Sequence, residues 1–139
     1  MAKPTPVRIP ADLCGVRVGE ETFFPHEGEW VELITHETVG ELRARVELGR
    51  LGPELDGVRG EPDENRRMNE IWDQHHSTIC RFLARRVLAW NWTDDGGAPL
   101  HPPRNGDGEP DGLLELRAAE LYWLMNATAP ENGPARKNV

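Results

Sequence analysis

Cysteine is scarce: Cys14 and Cys80 are the only two, they stand far apart, and neither belongs to a CxxC pair. That excludes a disulfide framework and a zinc ribbon, and leaves reduced thiols as the simplest state. Serine is scarcer still. Ser77 is the only one, it falls inside an expected helix, and no GxSxG surrounds it, so a serine nucleophile has no setting. GxxxxGK[ST] and GxGxxG are missing, and with them a loop to cradle phosphate; HExxH and the calcium-loop pattern DxDxDG are missing too. No apolar run approaches the eighteen or so residues of a membrane span, and MAKPTPVRIPADLCGV lacks the continuous apolar centre of a signal peptide. The expectation is a soluble chain that stays in the cytoplasm where it is made and has no membrane partner. Basic charge is also in the minority, 16 residues against 24 acidic ones for a net charge of -8, which sets a field that repels nucleic acid. Arg66, Arg67, Arg81, Arg85 and Arg86 gather on one segment, but acidic residues interleave before them, and they read as a solvated helix face.

What is present fits one domain of 139 residues, 37% of them hydrophobic, enough for a small core. The pattern predicts an α+β fold, mainly helical, with a small N-terminal antiparallel hairpin or meander packed on two or three amphipathic helices. Pro4, Pro6 and Pro10 make about 1–12 a flexible arm or an edge strand, since proline removes ladder donors. Val16 and Val18 alternate with polar residues, and FFPHEGEWVELI sets apolar residues on both sides of the turn residues His26, Glu27 and Gly28. Thr38 followed by Glu41 has the form of a capping box for a helix carrying Val39, Leu42, Val46 and Leu48 or Leu51, which Gly49, Gly52 and Pro53 end. A mobile connector is expected over about 52–62. From a cap at Asp63, Met68, Ile71, Trp72, His75, Ile79, Phe82, Leu83, Val87 and Trp90 recur at three and four, which predicts one long central helix. A second helix is expected from about Gly112 to Ala127, with Glu115 and Glu120 on its wet side. A mobile loop over about 96–111 separates the two, and a frayed tail follows over about 130–139.

Three groups of residues could carry chemistry. His76 and Cys80 lie one helical turn apart, a spacing that can hold a metal, but no second ligand pair accompanies them, and His75 reads as a core-edge histidine beside a more exposed His76. Asp94 and Asp95, with Asn91, could be imagined as acid and base or as calcium ligands. Adjacent side chains in a turn rarely converge, so turn-forming is the better reading. Cys80 sits in apolar surroundings, where a thiol is inert. No residue is assigned a catalytic role, and no cofactor or metal is expected.

The third group is the tryptophans, Trp30, Trp72, Trp90, Trp92 and Trp123, many for so short a chain. Trp72 and Trp90 share the helical stripe, and Trp30 and Trp123 fall on apolar stretches, so burial accounts for four. Trp92, beside polar residues in WNWTDDGG, is the candidate for an exposed anchor. Trp90, Trp92, Leu121 and Trp123 are expected as structural or protein-contact residues around one groove.

The helix ending in LARRVLAWNWTDDGGAPLHPP, followed by the closing LLELRAAELYWLMNAT, resembles the tail assembly chaperone family of long-tailed bacteriophages and prophages. A tryptophan, a pair of aspartates, glycine, an apolar residue and proline before a leucine-rich last helix carry the likeness over Phe82 to Ala127, with a weaker echo in GEWVEL at Gly28 to Leu33. The resemblance implies a non-catalytic, mostly helical protein that binds the tape measure protein, helps tail tube protein subunits polymerise around it in the host cytoplasm, and is absent from the mature virion. The expected N-terminal strands depart from that helical pattern. The alternatives are a structural virion component, such as a small head, connector or tail protein, and a metal-dependent enzyme using His26, His36, Asp73, His75 and His76.

Overall fold

The computed structural model describes residues 5–129, and the fold is α+β. Three strands, β1 (Val7–Pro10), β4 (Trp30–Leu33) and β5 (Val87–Trp90), form an antiparallel sheet in the order β1-β4-β5. The central strand β4 reads as alternation: Val31 and Leu33 are fully buried, while Trp30 and Glu32 lie half-buried on the opposite face. Pro10 pairs with Trp30 at the end of β1, an edge position where a missing donor costs little. The arm expected over about 1–12 is thus an edge strand from Val7, its first four residues lying outside the described ones.

A separate hairpin joins β2 (Val16–Val18) to β3 (Glu21–Phe23), with Val16 opposite Phe23. Its two-residue turn opens on Gly19, whose φ of 64° suits only glycine without strain. The expected turn at His26 to Gly28 does not close a hairpin of its own. It carries the chain from β3 in one sheet to β4 in the other.

Four helices follow: α1 (Val39–Leu48), α2 (Leu51–Gly57), α3 (Glu64–Ala84) and α4 (Ala118–Ala127). The capping box of α1 is present, with the Glu41 amide donating to Thr38 Oγ1 at 3.1 Å and the Thr38 amide to Glu41 Oε1 at 2.9 Å. The expected connector over 52–62 is α2 for most of its length, because Leu51 and Val58 bury themselves and Leu55 packs beside the core. The central helix is shorter than its periodicity predicts. It stops at Ala84, and Val87 to Trp90 become β5, where tertiary pairing with β4 satisfies the main chain and overrides a spacing that still reads as helical.

The last helix is also divided. A 3-10 turn spans Gly112–Glu115, Leu116 and Arg117 are extended, and α4 begins afresh at Ala118. Glu120 explains the break: its carboxylate turns back to accept the Arg117 amide at 2.8 Å, as a helix-opening acid does, and it faces inward, not to the wet side as expected. One contiguous core gathers Val31 and Leu33 of β4, Ile79, Leu83 and Val87, and Leu121 and Leu124 of α4. The stretch expected as a mobile loop over 96–111 holds two copies of one turn. Thr93 bridges Pro99 and Arg104 bridges Pro110, and in each the first polar side chain, Asp94 Oδ1 or Asn105 Oδ1, accepts two amides further on at 2.9 to 3.1 Å. The tail over 130–139 lies outside the described residues.

Candidate functional site

His26 is 1% exposed, and both ring nitrogens face carboxylates: Nδ1 lies 2.8 Å from Glu29 Oε1 and Nε2 lies 2.5 Å from Glu120 Oε2. The turn after β3 delivers His26, the approach to β4 delivers Glu29, and the first turn of α4 delivers Glu120 from far along the chain. Glu29 also accepts from the Thr93 amide at 3.2 Å and the Thr93 hydroxyl at 2.6 Å. Carboxylate oxygens only accept when ionised, so the ring donates twice in its protonated form and loses one of these bonds when neutral. For Glu120, burial pushes its carboxyl up, but the hydrogen bonds from His26 and the Arg117 amide and the charges of His26 and Arg117 outweigh it and hold the group below its ordinary value of 4.5.

The aromatic residues stack over this clasp. His26 lies on Trp92 with ring centroids 3.8 Å apart, Trp92 lies on Trp90 at 4.7 Å, and Trp123 tilts against Trp92 at 6.2 Å. Trp92 is fully buried, which corrects the expectation of an exposed anchor: the strand preceding it turns the indole inward under Trp90, and its Nε1 has no partner. The expected contact set is therefore split. Trp92 and Leu121 are interior, whereas Trp90 and Trp123 are half-buried at its edge. Trp90 Nε1 donates to His101 O at 3.0 Å, so it fastens the double turn to the sheet.

A second cluster of charge lies at the inner side of α1. Arg86 is 1% exposed and donates to Glu41 Oε2 at 3.2 Å and to His36 O at 2.5 Å. Arg45 donates to Glu37 Oε1 at 2.5 Å, to Met125 O at 2.6 Å and to Thr128 Oγ1 at 3.0 Å, tying α1 to the end of α4. Glu37 Oε2 and Arg86 Nε are buried without partners, the nearest approach of Arg86 Nε to Glu37 being 3.8 Å. Burial pulls the Arg86 guanidinium below its ordinary value, against the charges of Glu37 and Glu41. The remaining arginines of the expected solvated face are exposed, Arg66 pairing with Asp63 and Glu70, and Arg67 with Glu61.

Of the apolar residues expected along α1, three point outward and the later leucines, Leu48 and Leu51, are buried. Val39 is 71%, Leu42 50% and Val46 63% exposed, and within α1 itself only Leu48 is buried. Leu13, Val18, Phe23 and Phe24 are exposed around the β2–β3 hairpin, and Leu114 and Tyr122 near α4.

The groups once considered for metal chemistry do not converge. His76 Nε2 is 3.7 Å from Cys80 Sγ, His75 faces Glu54 at 3.3 Å, and among the described residues no three His, Cys, Asp or Glu side chains are grouped as ligands. Burial pushes the Cys80 thiol up to about 11; burial and then the Glu120 charge push Cys14 up to about 12 against the opposing charge of Arg117. Asp95 is engaged at 2.5 Å by Arg117 and Asp94 by its own turn, so neither is free for acid or base work. The residues missed from sequence were Glu120 and Arg86. Glu120 stands four residues from both Leu116 and Leu124, an inward position that only its charge disguises.

No family model matches the chain. No solved structure matches it. Human acireductone dioxygenase is 39% identical over 54 residues, which take in 38% of this chain and 30% of that protein. The matched stretch thus spans less than a third of the relative's length.

Proposed function

We propose that this protein is a non-catalytic tail assembly chaperone of a long-tailed bacteriophage or prophage, which holds the tape measure protein in the host cytoplasm while tail tube subunits polymerise around it. The observation that supports this reading is the distribution of apolar surface: large side chains stand exposed on α1 and the β2–β3 hairpin while a complete core lies beneath them. Such patches serve contact with another protein. A few aromatic and aliphatic anchors on a body of net charge -8 allow binding that can be exchanged, because the charged surround limits self-association. The WNWTDDGGAP phrase supports the same reading through its resemblance to that family, and its Trp92 and Asp94 act as the interior stack and the turn.

The test is co-expression with the tape measure protein encoded by the same phage or prophage. Capture of that protein by the tagged chain, and displacement when tube subunits are added, is the expected result. Failure of the two to associate overturns the reading, and stoichiometric presence of the chain in purified particles would make it a structural virion component. A second reading, an enzyme, is favoured by the 54-residue similarity to the dioxygenase. Oxygen consumption by the purified chain when it is given an acireductone would establish it.

A further inference from the structure

We infer that the outward stripe of α1, Val39, Leu42 and Val46, docks an amphipathic helix of the elongated partner, one whose own apolar stripe is bordered by carboxylates; this rests on the chaperone reading. The three residues recur at three and four, so they line one face of α1 over about 10 Å, two turns of helix. A surface helix ordinarily turns such a stripe to the core. Here it cannot roll inward, because the opposite side is fastened. Arg45 reaches Glu37, Met125 and Thr128, Arg86 reaches Glu41 and His36, and Leu48 fills the core between them. The Thr38–Glu41 capping box fixes the start of the helix as well.

Charge at the border selects the occupant. Arg43 follows Leu42 on the exposed side and has no ion-pair partner among the described residues, whereas Arg50, beyond the end of α1, is paired with Glu47 at 3.4 Å. Two copies of this chain pairing antiparallel through the stripe would bring Arg43 of one beside Arg43 of the other, a like-charge contact that disfavours a symmetric dimer. A helix with glutamates or aspartates beside its leucines meets the opposite condition. On a chain of net charge -8 this unpaired arginine is a local exception, and it sets orientation as well as attraction.

The experiment uses the full chain and two synthetic amphipathic helices that share a leucine stripe and differ only in bordering it with glutamate or with lysine, read by fluorescence anisotropy. The glutamate-bordered helix should bind at least about tenfold tighter. Leu42→Asp should abolish that binding with an unchanged unfolding midpoint, and Arg43→Glu should move the preference towards the lysine-bordered helix. Equal binding of both helices, or binding unaffected by Leu42→Asp, overturns the inference. So does a concentration-dependent doubling of mass that Leu42→Asp removes, which would identify a second copy as the occupant. A parallel capture of the tape measure protein separates the two claims. If wild type captures it and Leu42→Asp captures it equally, only this surface is wrong; if wild type fails to capture it, the chaperone reading falls and the peptide arm alone decides the surface.

Discussion

At His26, both ring nitrogens and all four oxygens of Glu29 and Glu120 have partners, and three tryptophans pack around the cluster, Trp92 with its Nε1 unpartnered. At Arg86, two buried polar atoms go without, and the helix held there turns its apolar stripe to solvent. The first cluster joins segments far apart in sequence, because His26 of the turn before β4 meets Glu120 of α4. The second fixes the orientation of one helix at the expense of packing. Buried charge that is fully satisfied can sit inside a core, whereas charge left part-satisfied is retained where orientation matters more than stability.

The largest expected effect comes from breaking the second cluster. Arg86→Met leaves Glu41 without its cation and Glu37 with Arg45 alone, and should destabilise the fold by about 3–5 kcal/mol in urea titration. Adding Glu41→Gln to it should recover part of that loss, since the amide removes the orphaned charge and its oxygen can still accept from the Thr38 amide. A cost below about 1 kcal/mol for the single variant would mean that the guanidinium does not hold α1.

Next is the tryptophan stack. Gly112 is buried, and a Cβ there would come within 2.2 Å of His101 O and 2.7 Å of Trp90 Cζ2. Gly112→Ala must push the double turn off the sheet, at about 1–3 kcal/mol. Tryptophan fluorescence and the unfolding midpoint should shift together; a shift in neither would show that Trp90 is free to move aside.

The pH dependence separates the two clusters less severely. Glu120 holds its proton more weakly in the folded chain than in the unfolded one, so its contribution is present above pH 4.5 and is lost as pH falls through the lower folded value. Glu41 acts in the same direction: burial opposes it, but the Thr38 amide, the Arg86 charge and hydrogen bonds from the Thr38 and Arg86 side chains lower it. Glu120→Gln should cost about 1.5–3 kcal/mol at neutral pH and flatten the acid limb of a stability–pH series below pH 4.5. An unchanged limb would assign that loss to other carboxylates.

Local patterning carried a good part of this in advance. The α+β class, the Thr38–Glu41 cap, the edge character of β1 and the inward stripe of Ile71, Ile79, Phe82 and Leu83 all follow from short-range rules that the structure obeys. What escaped was decided by distant partners. Val87 and Trp90 continue a helical spacing, but β4 offers them a ladder, and Trp92 sits among polar neighbours in sequence yet under Trp90 and His26 in space. Glu120 and Arg86 are charges at positions whose spacing points to the core, and no local rule says that a partner waits there. Of the residues expected around one groove, Trp90, Trp92 and Trp123 form a packed stack with only its edges exposed, and Leu121 lies in the core.

The smallest effect is the most telling about α1. If its stripe were misplaced core, polar substitution there would resemble substitution at Leu48. If it is surface held outward by Arg45 and Arg86, Leu42→Ser and Val46→Ser should each change stability by no more than about 0.5 kcal/mol, while Leu48→Ala, 6% exposed, should cost about 2–5 kcal/mol. Equal costs at Leu42 and Leu48 would mean that the helix spends its time turned the other way, with the guanidinium contacts broken and the stripe inside, and the contrast between the two clusters would disappear.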